Sequence, residues 1–457
     1  MDRRTFSRQL IAGLAALPVW NLAYGNNPEP GRKKVIVIGA GIAGAAAART
    51  LSDAGLEVQV LEAGSRVGGR IHTFRDWGVN LELGANWVHN TNHPDNRIDE
   101  QLLQLGVAME HTNYYRFQLF DDEGQRINHL RALLFSLELQ KKIQRAWPAL
   151  SGAEAGLSIR QVFDHVASDS GLSSARQAML RFNREAYANT LAASLSEASA
   201  DHYLGADNGE ALGKDQLVLG GYDTLVNHLL RGVPVQLHTE VQEIRQTGQG
   251  VAVLAGNDMY EADYAIVTVP LSILQNGGIQ FSSALPEEKT RALSRLRLGL
   301  FNKVAMRFTE KFWSGSPDFL VLQNGGGEHN SILLNHHHYS GQPILVAMPV
   351  ADAAARIEAQ DEETVQASWR EALHKAYPHR EIEFRDIAVT RWQANPFSRG
   401  SYSFVPVGAA ARDFAAIAEP LGRIHFSGEA TIAAFHGTVH GAYLSGVREA
   451  RTVIERR

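Results

Sequence analysis

Three glycines and one acidic residue near the start of the chain have the types and spacing of a phosphate-binding turn. Gly39, Gly41 and Gly44 follow a short β-branched run at residues 34–38, and Glu62 ends a second apolar run. Glycines permit a tight turn and let backbone N–H groups approach a pyrophosphate at the N-terminus of the next helix. An acid about 20 residues on can bind an adenosine ribose. This order predicts a dinucleotide site, without choosing between NAD and FAD.

A second glycine turn, Arg66-Val67-Gly68-Gly69-Arg70, follows Glu62 directly. Its glycines offer unhindered N–H groups, and Arg70 can offset phosphate charge. Taken alone, the pattern also fits a turn with a surface arginine. The extended pattern Glu-Ala-x-x-Arg-x-Gly-Gly-Arg resembles flavin-dependent amine oxidases, and that resemblance implies FAD.

The stretch Leu81-Glu82-Leu83-Gly84-Ala85-Asn86-Trp87-Val88-His89 continues the resemblance, specifically to the polyamine oxidase branch. His89 matches a position that can hydrogen-bond a substrate nitrogen, and a structural loop histidine is the alternative. The resemblance also implies that Val241 contacts the adenine side of the cofactor. The cofactor-binding residues implied by these segments are Gly39, Gly41, Gly44, Glu62, Arg70, Gly84, Ala85, Asn86, Trp87 and Val241.

Lys303 lies in an alternating stretch, residues 301–308, that predicts a β-strand. The alternation alone favours a solvated lysine at this position. The Asn-Lys-Val context instead resembles the family position where a lysine holds a water against flavin N5. Trp392 and the segment around Tyr402 resemble the part of the family that brings an aromatic ring to the flavin face. Lys303, Tyr402 and His89 are therefore the predicted catalytic residues, and Trp392 is assigned to cofactor binding.

The last stretch of the chain carries the remaining predicted cofactor contacts. Glu429 resembles the acid that meets the ribityl-pyrophosphate region, and Thr438 and Val439 match positions whose backbone meets the isoalloxazine. Small residues at 441, 442, 445 and 446 recur at helical spacing, so one helix face could admit a backbone or a flat ligand. Tight packing of a C-terminal helix is the simpler interpretation of that face.

The resemblance implies oxidation of a C–H bond next to an amine nitrogen, by hydride transfer to flavin N5 and reoxidation by O2 to H2O2. The family's monoamine branch flanks the substrate nitrogen with two aromatic residues, whereas here Tyr402 is paired with Thr438. The amino-acid oxidase branch carries an arginine just after its Gly-Ala motif, and Asn86 stands there instead. Polyamines such as spermine, spermidine or putrescine are therefore the favoured substrates.

Two other functions remain open. One is an amine dehydrogenase that acts on a specialised amine or monoamine and passes electrons to a periplasmic carrier. The other is a flavin-binding protein without turnover, which the retention of Lys303 and Tyr402 disfavours. Asp201, His202, Asp207 and Glu210 fall where relatives carry acids near the substrate tunnel. A solvated acidic loop is the alternative for that region.

The resemblance implies a mixed α/β fold of two domains, one a Rossmann-like FAD-binding domain and the other a substrate-binding domain with a mixed sheet and helices. The FAD-binding domain is expected to be discontinuous, over residues 34–110, 215–285 and 390–457. The substrate-binding domain then covers residues 111–214 and 286–389. Residues near 101–200 are expected to be mainly helical.

The composition of the chain limits which partners and cofactor linkages are expected. Of its 457 residues 44% are hydrophobic, the net charge is −5 and there are no cysteines. A mildly acidic chain argues against nucleic acid as a partner, and the oligomeric state is left open. Without cysteine the FAD is expected to be non-covalent, since a cysteinyl linkage is excluded and only a histidyl linkage is left.

The first 25 residues predict an export signal. Arg3 and Arg4 precede an apolar stretch from Leu10 to Trp20 and small residues at Ala23 and Gly25. Paired arginines resemble the twin-arginine type of signal, which exports folded proteins. An uncleaved membrane anchor is the alternative, but Pro18 and nearby asparagines dilute the apolar run. The mature protein is therefore expected in the periplasm or outside the cell, with no stable membrane span.

Overall fold

The computed structural model describes residues 32–91, 93, 96–153, 156–167, 172–205, 214–323 and 332–456, and the predicted export signal lies outside them. Residues 33–457 cluster as one unit, and the description below concerns that unit alone. The predicted division of this unit into two domains at particular residues stays a prediction. No helix in the described ranges has both the length and the apolar character needed to cross a bilayer.

The strands of the described residues form two large sheets, two smaller ones and two strand pairs. In chain order they are β1 (Lys34–Ile38), β2 (Glu57–Leu61), β3 (Thr73–Phe74), β4 (Leu81–Glu82), β5 (Trp87–Thr91), β6 (Met109–His111), β7 (Phe117–Phe120), β8 (Lys214–Val218), β9 (Val235–Gln236), β10 (Val241–Gln246), β11 (Val251–Ala255), β12 (Asp258–Ala262), β13 (Tyr264–Val267), β14 (Gln280–Phe281), β15 (Arg297–Leu298), β16 (Val304–Phe308), β17 (Phe319–Leu322), β18 (Ile332–Asn335), β19 (Ile344–Ala347), β20 (Phe384–Val389), β21 (Ser403–Phe404) and β22 (Ile424–Phe426).

The helices surround these sheets and supply most of the residues between positions 129 and 203. They are α1 (Ile42–Asp53), α2 (Ile98–Gln104), α3 (His129–Ala153), α4 (Ile159–Val166), α5 (Ser174–Leu191), α6 (Ala200–Tyr203), α7 (Asp223–Leu229), α8 (Leu271–Gln275), α9 (Glu287–Arg295), α10 (His337–Ser340), α11 (Ala351–Glu358), α12 (Glu362–Ala376), α13 (Ala411–Ala418) and α14 (Val439–Glu455), with 3₁₀ turns at Glu429–Thr431 and Ala433–Phe435.

Strand β1 is the centre of a five-stranded parallel sheet of order β22-β13-β1-β2-β9. Its residues Val35 to Ile38 are buried, as a β-branched run in a parallel sheet predicts. Helix α1 connects β1 to β2, and the two strands pair in parallel with Ile36 opposite Gln59. The predicted unit of strand, glycine turn, helix and strand is therefore confirmed.

In a six-stranded mixed sheet of order β20-β16-β19-β18-β17-β7, Lys303 directly precedes the inner strand β16. Strand β16 pairs antiparallel with both β19 and β20, and four of its five residues are buried. Strand β7 belongs to this sheet as well. The stretch near residues 101–200 is therefore mainly helical, as predicted, but it also contains β6 and β7.

The small-residue face of α14 lies against the backbone of α1 and of the preceding 3₁₀ turn. A Cβ added at Gly446 would lie 2.1 Å from the carbonyl oxygen of Ala43, and one at Gly441 would lie 2.0 Å from that of Phe435. Ser445 accepts a hydrogen bond from the backbone N–H of Gly428 at 2.8 Å. The small residues therefore allow close packing of α14 against neighbouring backbone, which is the simpler of the two interpretations of this face.

Gly446→Ala is expected to lower the free energy of unfolding by about 1–3 kcal/mol, because α14 must move away from α1 to make room for a methyl group. Alanine is the better helix former, so a net loss would show that packing against α1 decides the outcome. Equilibrium urea unfolding measures the change. Gly152→Ala in α3 is the matched control, since a Cβ there meets no atom within 4 Å. Equal stability of the two variants would contradict this prediction.

Candidate active site

A cavity of about 990 Å³ is lined both by the glycine turn after β1 and by the predicted catalytic side chains. Its volume suits a cofactor or ligand site. All predicted site residues except Gly44 line it, namely Gly39, Gly41, Glu62, Arg70, Gly84, Ala85, Asn86, Trp87, His89, Val241, Lys303, Trp392, Tyr402, Glu429, Thr438 and Val439.

The turn between β1 and α1 needs its glycines for different reasons. Gly39 has a φ of +104° and donates its N–H to the carbonyl of Leu61 at 2.8 Å. A Cβ at Gly44 would lie 2.0 Å from the carbonyl oxygen of Gly39, so Gly44 allows the helix to pack on its own turn. A Cβ at Gly41 would meet only the oxygen of Gly68, at 4.0 Å. Gly41 therefore leaves room on the cavity side for a phosphate at the N-terminus of α1.

Glu62 stands at the end of β2 with its carboxylate held by backbone amides. Its two oxygens accept hydrogen bonds from the N–H of Ala40 at 2.7 Å and the N–H of Gly64 at 2.8 Å. Each carboxylate oxygen keeps a lone pair that can accept a hydroxyl proton. Val241 lines the same cavity and is itself buried. The residues present fit an adenine dinucleotide: Glu62 would accept a hydrogen bond from its ribose, and the turn would hold its pyrophosphate.

Arg70, which is partly buried, and Glu429, which is buried, form an ion pair that joins distant segments of the chain. The Arg70 guanidinium donates to Glu429 at 2.8 Å and to the carbonyl of Ser401 at 2.7 Å. The second oxygen of Glu429 accepts from the Ser403 hydroxyl at 2.5 Å and the N–H of Gly437 at 2.9 Å. Burial alone would raise the pKa of Glu429, but Arg70 and these hydrogen bonds outweigh it and lower that pKa. Glu429 is therefore an ionised anchor for the cavity wall.

The segment after β4 is pressed against Arg70. A Cβ at Gly84 would lie 2.0 Å from the backbone oxygen of Arg70, and the N–H of Ala85 donates to that same oxygen at 3.0 Å. Asn86 and Trp87 follow as part of the cavity wall. Only glycine fits at position 84, so this close contact sets the position of the cavity wall formed by residues 84–87.

Lys303 is buried at the cavity, with 2% of its surface exposed. Its Nζ donates to the backbone oxygens of Glu82 at 2.5 Å and Gly84 at 2.7 Å. A lysine nitrogen has room for a third partner, and in Lys303 that third position is left for the cavity. The indole N–H of Trp392 donates to the neighbouring carbonyl of Leu83 at 3.3 Å. The solvated alternative for Lys303 is therefore wrong, because its strand is covered on both faces.

Tyr402 is placed against the turn that precedes α14. Its hydroxyl donates to the carbonyl of Asn189 at 3.0 Å, and a Cβ at Gly437 would lie 3.1 Å from its ring. Thr438 caps α14, which begins at Val439, by accepting a first-turn N–H at 3.0 Å. Thr438 and Val439 line the cavity, so the positive end of this helix favours negative charge on a ligand there.

His89 is joined to a carboxylate that the sequence did not single out, Asp215 on β8. The two side chains lie 2.9 Å apart, from His89 Nδ1 to Asp215 Oδ2. Asp215 also accepts from the Tyr114 hydroxyl at 2.8 Å and the N–H of Asn90 at 3.1 Å. Burial alone would raise the pKa of Asp215, but these donors outweigh it and lower that pKa. An anionic site therefore lines the cavity beside His89.

The acids predicted near the substrate tunnel, at residues 201–210, stay a prediction. Asp207 and Glu210 lie outside the described residues, and Asp201 is exposed and accepts from the N–H of Gly156 at 3.2 Å. Asp215 faces the cavity because β8 pairs antiparallel with β5, which carries His89. The only available signal was an acidic residue between Lys214 and Gln216 at the polar start of β8, and that pattern alone does not identify its partner.

Two histidines, His202 and His436, lie close together near Tyr402, and the sequence had singled out only His202. His436 lines the cavity, with Nδ1 3.1 Å from the carbonyl oxygen of Ser403 and Nε2 3.3 Å from Nε2 of His202. Burial lowers the pKa of His436 and brings that of His202 to about 4. Both rings are therefore neutral near pH 7, and the hydrogen bond to Ser403 places the proton of His436 on Nδ1.

Comparison with known proteins agrees with this arrangement. Residues 42–454 match the model of the family described as flavin containing amine oxidoreductase. The chain is 33% identical over 93% of its length to lysine-specific histone demethylase 1 homolog 2 of Arabidopsis thaliana, but it spans only 59% of that protein. It is 31% identical to polyamine oxidase 2 of Arabidopsis thaliana, covering 91% of this chain and 87% of that one.

A third relative, polyamine oxidase 1 of Zea mays, is 28% identical over 97% of this chain and 95% of its own length. The chain thus spans little more than half of the demethylase relative and nearly all of these polyamine oxidases. The family match begins at Ile42, the first residue of α1, and it covers Lys303, Tyr402 and all of α14 except its last residue in one stretch. The mixed α/β fold, the cavity and this match together show that the chain belongs to the flavin-containing amine oxidoreductases.

Proposed function

We propose that this enzyme oxidises polyamines, such as spermidine, spermine or putrescine, with FAD as cofactor and O2 as electron acceptor, giving H2O2. One observation carries the proposal: a single cavity joins the dinucleotide turn to Lys303 and Tyr402, and Asp215 adds an anionic side chain to its wall. A substrate with two amino groups can place one nitrogen at the reacting centre and its second, charged nitrogen near Asp215. The relatives named polyamine oxidases support the same substrate class.

When bound, FAD supplies the acceptor, flavin N5, for a hydride from the carbon next to the substrate nitrogen. The nitrogen lone pair forms the new C=N bond, so the substrate must bind as a neutral amine at that nitrogen. Tyr402 forms one wall beside the reacting nitrogen, and Lys303 supplies a hydrogen-bonding position in an otherwise apolar wall. His89 accepts or donates a hydrogen bond to the substrate at Nε2, because its Nδ1 is engaged by Asp215.

Anaerobic mixing with a panel of amines tests the proposal. Spermidine, spermine and putrescine are expected to bleach the oxidised-flavin absorbance, whereas phenylethylamine and an L-amino acid are not. Peroxide formed on admitting air would support O2 as acceptor. Bleaching by phenylethylamine alone would contradict the substrate class, and reduction only by dithionite would contradict turnover of these amines.

Asp215→Asn is expected to lower kcat/KM for diamines and triamines about tenfold, or about 1.4 kcal/mol, because it removes the charge that attracts the second nitrogen. The loss is expected mainly in KM. Asp258→Asn on β12, an exposed carboxylate that does not line the cavity, is the control for the change in net charge. Steady-state kinetics with spermidine and with a monoamine of equal length would separate the two effects. An equal loss for the monoamine would show that Asp215 does not read the second charge.

Two further parts of the proposal concern maturation. The enzyme is exported folded through the twin-arginine route to the periplasm, with cleavage after Gly25, and it holds FAD without a covalent bond. N-terminal sequencing of the exported protein tests the first part, and an intact Met1 in the cytosolic fraction would contradict it. Heat or acid precipitation tests the second part, since non-covalent FAD remains in the supernatant. Flavin retained on the precipitated protein would indicate a histidyl linkage.

A further inference from the structure

Glu82 is a buried carboxylate that the proposed function does not yet use. It is 4% exposed, and its oxygens accept from the Thr73 hydroxyl, at 3.0 Å each, and from the N–H of Tyr222 at 2.8 Å. Buried charges are costly unless a counter-charge is near. Yet no ion pair within 4.0 Å involves Glu82 in the described part of the chain. The side chain of Lys303, which donates to the backbone oxygen of Glu82, can supply the positive charge.

Lys303 is a buried cation that lacks a partner of opposite charge among its hydrogen-bond acceptors. Its Nζ lies in a buried site where the hydrogen-bond acceptors are two backbone oxygens, those of Glu82 and Gly84. Two carbonyls and one open position suit an ammonium that donates its third N–H into the cavity. Carbonyl oxygens carry no net charge, so they do not neutralise the cation. A counter-charge close behind the carbonyls is what a buried ammonium requires.

We propose that Glu82 is the counter-charge that keeps Lys303 protonated, so that its third N–H is available to the flavin side of the cavity. Glu82 is a positioning residue, because it does not line the cavity and acts only through Lys303. The inference rests on the proposed role of Lys303 beside the flavin. It assigns the charge state of that lysine to a residue in the Leu81–Glu82 strand, β4.

The surrounding electrostatics agree. Burial lowers the pKa of Lys303 while the charge of Glu82 opposes the shift, and burial raises the pKa of Glu82 while Tyr222, Thr73 and Lys303 oppose it. Both donors to Glu82 favour its ionised form. The charge of each group therefore favours the charged form of the other, against the burial that disfavours both charges.

The other titratable groups near the pair do not provide this counter-charge. His336 is neutral near pH 7, because burial and the charge of Lys303 bring its pKa to about 4. Burial raises the pKa of the Tyr222 phenol, so that group stays protonated. Asp223 is engaged by Arg75 in an ion pair at 2.7 Å. Glu82 is the anion that remains for Lys303.

Titration of Lys303 by NMR tests the proposal without turnover. In protein labelled at lysine Cε with ¹³C, the Lys303 resonance is identified by its loss in Lys303→Met. Glu82→Gln is expected to move the titration midpoint of Lys303 about 1–3 pH units lower, as the loss of a nearby opposite charge should. Glu82→Asp keeps the charge and is expected to keep the midpoint, and Asp223→Asn is the control for a more distant carboxylate. An unchanged midpoint in Glu82→Gln would overturn the proposal.

A double-mutant cycle supplies the second readout. In stopped-flow measurements of both flavin half-reactions, Glu82→Gln combined with Lys303→Met should match Lys303→Met alone, because Glu82 acts only through the lysine. Multiplying losses would overturn the proposal. Thr73→Val, which removes one hydrogen bond to Glu82, should shift the midpoint in the same direction by less, and it serves if Glu82→Gln does not fold. If the amines leave the flavin oxidised while the midpoint still moves, the substrate assignment fails and the charge assignment stands.

Discussion

Replacing Lys303 by methionine is expected to slow at least one flavin half-reaction by about 10²–10⁴-fold while FAD stays bound, since a positioned proton donor or acceptor typically contributes that much. Methionine keeps the length and apolar volume of the side chain and removes only its nitrogen. The nitrogen donates hydrogen bonds to two backbone oxygens, and its third hydrogen-bonding position is left for the cavity. None of the other described lysines lines the cavity. Stopped-flow reduction by a polyamine and reoxidation by O2 measure the two steps separately.

Lys289→Met is the matched control. Lys289 is also buried, at 2% exposure, and its Nζ also donates to two backbone oxygens, those of Ala416 at 3.0 Å and Ile417 at 2.5 Å. It lies outside the cavity. The control should lose stability and keep both half-reaction rates. Wild-type rates for both steps in Lys303→Met would remove Lys303 from the mechanism, and an equal loss in Lys289→Met would reduce the effect to folding.

The parts of the site that could be predicted from the sequence are those whose chemistry is local. Gly39, Gly41 and Glu62 belong to one continuous unit of strand, turn, helix and strand, so their spacing alone brings them together. The family resemblance then supplied Lys303 and Tyr402, which alternation and composition could not. The structure brings these residues to one cavity, as the resemblance implied, although their individual roles stay predictions.

The parts that could not be predicted depend on contacts between distant segments. Asp215 meets His89 only because β5 and β8 pair across more than a hundred residues. The burial of Lys303 follows from the apolar clusters that cover both faces of β16, and local alternation does not reveal what packs on each face. Glu82 was part of a recognised motif, yet its link to Lys303 passes through a backbone oxygen. Sequence patterns indicate the apolar faces of helices and strands and the positions of turns. They do not indicate which of these faces pack together.

The rate of flavin reduction at low substrate concentration is expected to rise roughly tenfold per pH unit from pH 7 toward the substrate's own pKa, about 10.4 for an amine like that of lysine. Over three pH units the increase is on the order of 10²–10³. The reason is that an ammonium has no lone pair for the C=N bond, so only the neutral fraction reacts. Anaerobic stopped-flow absorbance across this range measures the profile.

Several titratable groups in or near the cavity wall cannot produce this rise. The pKa values of His202, at about 4, and His440, at about 3, lie well below the range, because burial disfavours their cations. Asp215 and Glu429 have lowered pKa values and are ionised throughout, whereas burial raises the pKa of Tyr402 and keeps it protonated. Their charges are therefore constant from pH 7 to 10.

Two variants separate the substrate from Lys303 and His89. If the rising limb belongs to the substrate, Lys303→Met and His89→Gln should lower the rates and keep the slope. A flat profile in either variant would assign the rise to the missing side chain, and a flat profile in the wild type, with chemistry limiting, would contradict the need for a neutral amine.

The second nitrogen of a polyamine adds a falling limb. If Asp215 holds that nitrogen as an ammonium, binding weakens once the ammonium deprotonates, and the profile becomes bell-shaped. The falling limb should then disappear in Asp215→Asn and with a monoamine, while the rising limb remains in both. The reaction beside Lys303 requires a neutral nitrogen, and the anion at Asp215 favours a charged one. Together they select a substrate that carries one neutral and one charged nitrogen. A falling limb of equal size in Asp215→Asn would place the recognition of the second charge elsewhere in the cavity.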